Sequence, residues 1–568
     1  MSELEKSGSE AGVPAGARAP DETACPAIGT AVSGGLVDFG PAGKIWIAVF
    51  FAALVFLALS LCHTITTPWV EDDNWYGAVY SQAAHNNLRA GLAATGGVPV
   101  TLYFGPLPFP ADAFYVHHPT LLPLAVTGAF AIFGEAEWVA RLLPIACSLL
   151  SVVLLWLLVR SALGRRAATL CAAVFATLPM ELHYGDMVDF EPCLVMLMLA
   201  ALLCLRHLHV NGRARWAVLA VAACFLAVSM DWPGYLFVLS LTGYFLLRWW
   251  KKSAQASRPT PAHSLGFALS LLGVSGLSGI FFLFQIRYAR ADAWSDLWNA
   301  LMMRLSSSAA TDAQSAAVTT AHFTFMEWCG AIARGLAADF LPLPWLFVAA
   351  GIFFICIGRR KSEGLRWCGF AMMPMTIAGV LYVVILRNES FDHDFATFYL
   401  IGALALAGGI GVEGLLVAFE RKFPRPPARA LAAVAVIACF AWLGASAFSR
   451  SESLRSPFSV LDAEKPEPPD LIPSLGRILG RKFPAGTTIL CNFAASGTLD
   501  YYAQRPVMNG ITLPSDWKIF ASAERPPLGG IIWLDAPDAS DLLASLKREE
   551  LSEMTFKGFR FALWRSAR

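Results

Sequence analysis

The chain has 568 residues, of which 56% are hydrophobic and only 15% charged, with a mean hydropathy of +0.54. Globular domains carry roughly 25% charged residues, so the composition excludes a soluble protein and indicates one integral to a membrane. The net charge of +1 offers no field for gathering nucleic acid or an acidic partner.

Residues 1–43 are rich in Gly, Ala, Pro, Ser and Glu and lack the basic flank and short apolar core of a signal peptide. They predict a disordered cytoplasmic tail. Apolar stretches near Ile45–Cys62, Val139–Val159, Ala167–Leu182, Glu191–Leu205, Trp216–Met230, Gly234–Trp250, Ser264–Ile286, Leu336–Ile357, Cys368–Leu386, Phe395–Phe419 and Ala428–Phe448 predict 11 transmembrane helices. The 12 cysteines fall mostly within these runs and read as small core residues, not as a disulfide framework or zinc site.

The first span opens onto residues 63–137, read as an outer loop. It begins with three consecutive carboxylates, Glu71-Asp72-Asp73, and a helical pattern follows over Trp75–Leu88 with Tyr76, Val79, Tyr80, Ala83 and Leu88 on one face. That pattern predicts an amphipathic helix lying in the interface. After a Gly- and Pro-rich stretch come Tyr115-Val116-His117-His118-Pro119 and the apolar run Thr120–Phe133. At about 14 residues the run is short for a span and is read as re-entrant or interfacial.

Loop charges support that choice. With Thr120–Phe133 left out of the count, one set of loops collects the basic residues, around Arg160–Arg166, Arg206–Arg215, Arg248–Arg258, Arg359–Arg366 and Arg421–Arg429. The alternate set carries Glu181, Asp186, Asp189, Glu191, Asp231, Glu389, Asp392 and Asp394. The positive-inside rule makes the basic set cytoplasmic. The acids of the first loop then share the outer face with those of the later turns.

Further along, Arg287–Arg334 reads as a long surface loop, Ser449–Pro473 as a linker, and 474–568 as a small α/β domain on the outer side. In that domain Thr487–Phe493, Gly530–Leu534 and Thr555–Trp564 read as strands, and Gly497–Ala503 and Ser540–Glu550 as helices.

Acids at the mouth of a membrane helix are costly unless water, a cation or a substrate meets them. A carboxylate within reach of an acceptor hydroxyl can remove its proton as the oxygen attacks a sugar. Adjacent carboxylates also repel and raise one another's pKa. Glu71-Asp72-Asp73 suits such a base, and equally suits a solvated helix end. Asp189 before Phe190-Glu191-Pro192 can be a helix cap, which leaves the company of Asp186, Glu191 and His183 unexplained. His117, His118 and Arg387 can donate to phosphate oxygens.

The arrangement resembles the GT-C superfamily of polyprenyl-phosphate-sugar glycosyltransferases, above all the lipid A aminoarabinose transferases and protein O-mannosyltransferases. The resemblance covers Ile45–Phe448 and rests on Asp72-Asp73-Asn74-Trp75-Tyr76, His117-His118-Pro119, Phe133-Gly134 with Arg141, Glu191-Pro192, and His393-Asp394 with Tyr399. It implies a GT-C-like polytopic α-helical catalytic domain over 44–448. It implies Asp72 as base, with Asp73 and Glu191 as catalytic partners and Glu191 on acceptor or sugar. It implies His117, His118, Arg387 and His393 around the donor phosphate, and Glu71, Tyr76, Asp189 and Asp394 at the substrate. The aminoarabinose enzymes carry Lys where this chain has His118, and Asp-Glu where it has Asp72-Asp73. The large lumenal insertion of the protein mannosyltransferases is absent, so the expected acceptor is a lipid or glycan. No cofactor is expected, and the sequence leaves a divalent metal undecided. The expected partners are the lipid-linked donor, the acceptor and membrane lipids, without nucleic acid, in a bacterial inner membrane. The rival is a transporter or lipid flippase, which would show internal repeats and mid-span charges; no clear repeat is present, and Glu413 is the nearest such charge.

Overall fold

The computed structural model describes residues 41–69, 74–251, 261–306, 323–455, 468, 470–491, 496–508, 528–534, 551–557 and 559–565. After α1 (Pro41–Cys62) the first loop folds into α2 (Asn74–Ala90), α3 (Leu92–Thr95) and α4 (Leu121–Phe133). α4 has 13 residues. At ~1.5 Å per residue that is too short to cross ~30 Å of hydrocarbon. It stops at Gly134, whose φ of 87° suits only a residue without a Cβ.

α2 differs from the expected interfacial helix. Its buried residues run from Gly77 through Ala84 and include Asn86 and Asn87, so both faces are covered. Asn86 Nδ2 donates to the carbonyls of Val100 (3.0 Å) and Tyr103 (2.7 Å), and Asn87 Nδ2 to Thr127 Oγ1 at 3.1 Å. A polar face wetted by water and one hydrogen-bonded to loops give the same sequence period, so the pattern alone cannot separate them.

The bundle continues through α5 (Glu137–Leu163), α6 (Arg165–Ala176), α7 (Pro179–Tyr184), α8 (Phe190–Asn211), α9 (Ala214–Met230), α10 (Trp232–Trp250), α11 (Pro261–Ala289), α12 (Ala293–Leu305), α13 (Phe325–Phe340), α14 (Pro342–Gly358), α15 (Glu363–Ile385), α16 (Arg387–Asp392), a 3-10 segment (Asp394–Leu400), α17 (Ile401–Lys422) and α18 (Pro426–Leu454). Among the described residues, 7 helices are long and apolar enough to cross a membrane. The number is 8 if α13 and α14, bent by 95° where Pro342 interrupts them, form one span. The sequence suggested 11. The difference arises from short or broken elements, such as Ala167–Leu182, which is α6 and α7 separated before Pro179. The expected surface loop Arg287–Arg334 is largely helical instead, holding α12 and the start of α13. Most of its Ser/Ala/Thr-rich part lies outside the described residues.

α14 and α17 meet backbone to backbone. A Cβ on Gly411 would fall 1.9 Å from the Phe347 carbonyl, and one on Gly351 1.8 Å from that of Ala407. Small residues let membrane helices approach this closely. Gly411→Ala is expected to cost about 1–3 kcal/mol by overpacking, read as a lower thermal unfolding midpoint. Gly276→Ala on α11, where nothing lies within 4 Å, is the control that should not fall.

The C-terminal domain has a five-stranded sheet in the order β2-β1-β3-β5-β4, built from β1 (Thr488–Cys491), β2 (Val507–Met508), β3 (Leu528–Leu534), β4 (Leu551–Phe556) and β5 (Phe559–Arg565). β1 pairs parallel with β2 and β3, and β5 antiparallel with β3 and β4. The single strand expected at Thr555–Trp564 is thus the two arms of a hairpin, turning at Lys557 with φ 49°. α19 (Leu471–Lys482) and α20 (Ser496–Ala503) pack on the sheet through Leu475, Leu479 and Leu499. α19 was not foreseen, because Pro473 in its first turn reads as a breaker. The helix expected at Ser540–Glu550 lies outside the described residues. α18 runs on to Leu454, past the expected start of the linker.

Candidate active site

Glu71, Asp72 and Asp73 lie outside the described residues, but both flanks of their segment are described and held. On one side the buried Arg141 of α5 donates to the carbonyls of Ile65 and Thr67 and to Asn74 Oδ1 (3.0 Å), with its guanidinium 4.0 Å from the Trp69 ring centroid. On the other side is α20 of the C-terminal domain. Trp69 N–H donates to Tyr502 Oη at 2.8 Å, and that hydroxyl donates to Glu137 Oε1 at 2.9 Å. Gln82 Nε2 donates to the Gly497 carbonyl at 2.8 Å, and a Cβ on Gly497 would strike the Trp75 indole at 2.5 Å. Tyr502→Phe is expected to cost about 1–3 kcal/mol, because it leaves the Trp69 N–H and the Glu137 carboxylate short of a partner. The unfolding midpoint should drop; an unchanged midpoint would show that the contact contributes nothing.

α2 then leads toward the other acids. Tyr80 meets the Phe190 ring edge-on at 5.5 Å, at the start of α8. There Asp189 caps the helix, its Oδ1 accepting from Phe190 N–H at 2.9 Å. Burial pushes the Asp189 carboxyl up, and the nearby charge of Glu191 adds to this. Glu191 is 2% exposed, and its Oε2 has no partner among the described residues. Buried carboxylate oxygens are ordinarily hydrogen-bonded, so this one can still take part in a hydrogen bond.

From Glu191 a chain of contacts crosses the end of the bundle. Tyr399 Oη lies 3.0 Å from Glu191 Oε1 and 2.6 Å from Asp231 Oδ2. Asp231 Oδ1 is 2.9 Å from His118 Nδ1, and His118 Nε2 is 3.3 Å from an Arg304 terminal nitrogen. Arg304 Nε donates to Glu389 Oε2 at 2.8 Å. Glu389 Oε1 is 3.8 Å from His393 Nε2, which is 3.5 Å from Tyr76 Oη. Burial pushes the Glu389 carboxyl up, but the Arg304 guanidinium, with His393 and His118, outweighs it and holds the carboxyl below its usual range.

Of the residues singled out in the sequence, the structure joins Tyr76, His118, Glu191 and His393, with Asp189 beside them. His117 stands next to the chain. Its Nε2 is 3.3 Å from Asp296 Oδ2, an ion-pair distance without hydrogen-bond alignment, and burial pushes its pKa down. Arg387 is exposed on α16 and outside the chain of contacts; the cation within it is Arg304. Asp394 is exposed and caps its own 3-10 segment, accepting from Phe395 N–H at 3.0 Å. Asp186 is tied by the Arg455 guanidinium (3.1 Å) and Thr64 Oγ1 (2.8 Å), a link between helix ends. Sequence reasoning missed Arg304, because α12 was read as loop, and did not single out Asp231 among the acids. The one available signal was that Arg304 closes an apolar helical pattern, Trp294, Leu297, Trp298 and Leu301.

Those same α12 residues line an apolar cavity of about 400 Å³ with Trp232, Leu283 and Ile385, and His117 and Arg304 also stand in its wall. Among the described residues no group of three or more His, Cys, Asp or Glu side chains forms a metal site.

The fold matches solved structures over nearly its whole length. ArnT from Cupriavidus metallidurans in the apo state aligns with a TM-score of 0.58 at 16% identity, covering 92% of this chain and 98% of that one. The likeness is one of fold. The same ArnT bound to undecaprenyl phosphate gives a TM-score of 0.56 at 15% identity with the same coverage. The Archaeoglobus fulgidus oligosaccharyltransferase, apo, gives 0.58 at 13% identity, covering 86% of this chain and 69% of that one. Residues 117–278 match the family model described as dolichyl-phosphate-mannose-protein mannosyltransferase. No curated protein matches the sequence. The family match begins at His117, so it takes in His118, Glu191 and Asp231 but not the first acids.

Proposed function

We propose that this protein moves a sugar from a polyprenyl-phosphate donor to a hydroxyl of a lipid or glycan acceptor, on the periplasmic face of a bacterial inner membrane. The observation that carries the reading is the apolar cavity with His117 and Arg304 in its wall, beside a cluster of acids. An isoprenoid tail fits the tryptophan- and leucine-lined groove, and its phosphate meets a guanidinium already fixed by Glu389. A fixed cation stabilises the negative charge that develops on the departing phosphate. Glu191, with one carboxylate oxygen unpartnered, receives a hydroxyl of the sugar or acceptor. Asp72, with Asp73 beside it, removes the acceptor proton. A single displacement inverts the anomeric centre.

Arg304 takes the role first given to Arg387, since a phosphate at the mouth of the cavity would sit at Arg304. The 1–43 tail, the linker and the periplasmic placement of 474–568 belong to the same reading. Supporting the membrane orientation is the segregation of basic loops from acidic ones in the sequence.

The test is transfer of a radiolabelled polyprenyl-phosphate sugar into membrane lipids or glycans by purified protein in native lipid. Label should move, and unlabelled polyprenyl phosphate should compete with it. Absence of transfer with every such donor, together with no binding of polyprenyl phosphate, would overturn the reading.

A further inference from the structure

The positions of the protons around His118 follow from which atoms can donate. Arginine has only N–H groups to offer. The Arg304 nitrogen 3.3 Å from His118 Nε2 is therefore the donor, and Nε2 is bare. A neutral imidazole then carries its proton on Nδ1, which lies 2.9 Å from Asp231 Oδ1 and donates to it. The other oxygen of Asp231 takes the Tyr399 hydroxyl proton at 2.6 Å. Asp231 is 1% and His118 8% exposed, so little water reaches the pair. The ring plane is fixed as well: Phe190 stacks on His118 at 4.9 Å and 12°, and Tyr115 lies nearly parallel at 5.9 Å and 8°.

We propose that Asp231 is a positioning residue for the donor-phosphate site. It holds His118 as the Nδ1–H tautomer, so that the bare Nε2 fixes the Arg304 guanidinium where it lines the cavity. The proposal rests on the reading of Arg304 as a phosphate ligand. It changes the role of His118, which accepts a hydrogen bond and aims the cation instead of donating to phosphate. The choice of tautomer by the partner of the other ring nitrogen is a general property of buried imidazoles.

The arrangement works only with a neutral ring. A proton on Nε2 would face the N–H groups of Arg304 and add a second positive charge.

The experiment measures kcat and KM for the full chain in native lipid, with labelled polyprenyl-phosphate sugar. In Asp231→Asn the amide can donate to Nδ1 and drive the ring proton to Nε2, against Arg304. The kcat should fall ~10- to 100-fold, the scale seen when the partner orienting a functional imidazole is removed, with acceptor KM little changed. His118→Gln offers Arg304 an acceptor with no ring proton to misplace, so it should keep part of the activity. Should Asp231→Asn fail to fold, His118→Gln decides. Loss of all transfer by a folded His118→Gln, or wild-type kcat in a folded Asp231→Asn, overturns the proposal. Wild-type transfer by Arg304→Ala would instead remove the reading beneath it.

Discussion

Asp72→Asn is expected to lower sugar transfer by ~10²–10⁴-fold, the contribution of a positioned general base. The substitution keeps the size of the side chain, exchanges one acceptor oxygen for an NH2 donor, and removes the ability to take a proton. Donor binding should be unchanged, because the apolar cavity and Arg304 belong to other elements. Asp73→Asn should have a smaller effect, through the charge it places beside the base. The measurement is transfer of labelled sugar from the lipid-linked donor, alongside retention of polyprenyl phosphate by the same preparations. A folded Asp72→Asn protein with wild-type transfer would end the assignment of the base, and equal losses from Asp72→Asn and Asp73→Asn would make the pair act as one unit.

The second large effect is expected at Arg304. Its side chain and that of Glu389 are 14% and 15% exposed, with Nε 2.8 Å from Oε2. Removing one partner of a buried ion pair costs about 3–5 kcal/mol, because the other charge is left uncompensated. Arg304→Ala should therefore lower the unfolding midpoint as well as transfer, and alone it cannot separate the two. The double variant Arg304→Met with Glu389→Gln can. Replacing both charges by groups of similar shape should restore most of the stability. Transfer should stay down by ~10²–10³-fold, the scale lost with a donor to developing negative charge. Arg304→Lys should be intermediate, since a lysine keeps the charge but cannot contact Glu389, His118 and a phosphate with one fixed fork. Full transfer by the double variant would show that the cation serves the fold alone.

The membrane class, the short helix at Leu121–Phe133 and the acids Asp189 and Glu191 at the start of α8 were legible because hydropathy and loop charge are local properties of the chain. The match of fold to solved glycosyltransferases agrees with the family resemblance read from His117-His118-Pro119 and Glu191-Pro192. Arg304, Asp231 and Tyr399 show what was not legible. Their meaning lies in distances between elements far apart in sequence: Arg304 meets His118 across 186 positions, and Tyr399 meets Asp231 across 168. Arg387 stood out in the sequence as an isolated basic residue in an acidic turn, yet sequence cannot say which way an arginine on a six-residue helix points. The hairpin of β4 and β5 was hidden because a turn at Lys557 needs no Gly or Pro to announce it. α2 was misjudged for a related reason. Asn86 bonds to loop carbonyls, Asn87 to the Thr127 hydroxyl and Gln82 to the Gly497 carbonyl of α20, and those partners leave no mark on the pattern.

α20 leans on Trp69 and Trp75, the aromatic residues bracketing the first acidic run, although more than 400 positions separate them in the chain. The composition shift after Phe448 therefore marks where the fold changes character and is a poor place to cut. A shortened chain ending there would keep its bundle of helices, yet leave the Trp69 backbone amide without its Tyr502 acceptor and strip Gly497 from the Trp75 indole. Such a fragment should purify as a helical membrane protein and be a weak enzyme, and supplying residues 449–568 as a separate polypeptide should restore its rate in proportion to how much rebinds.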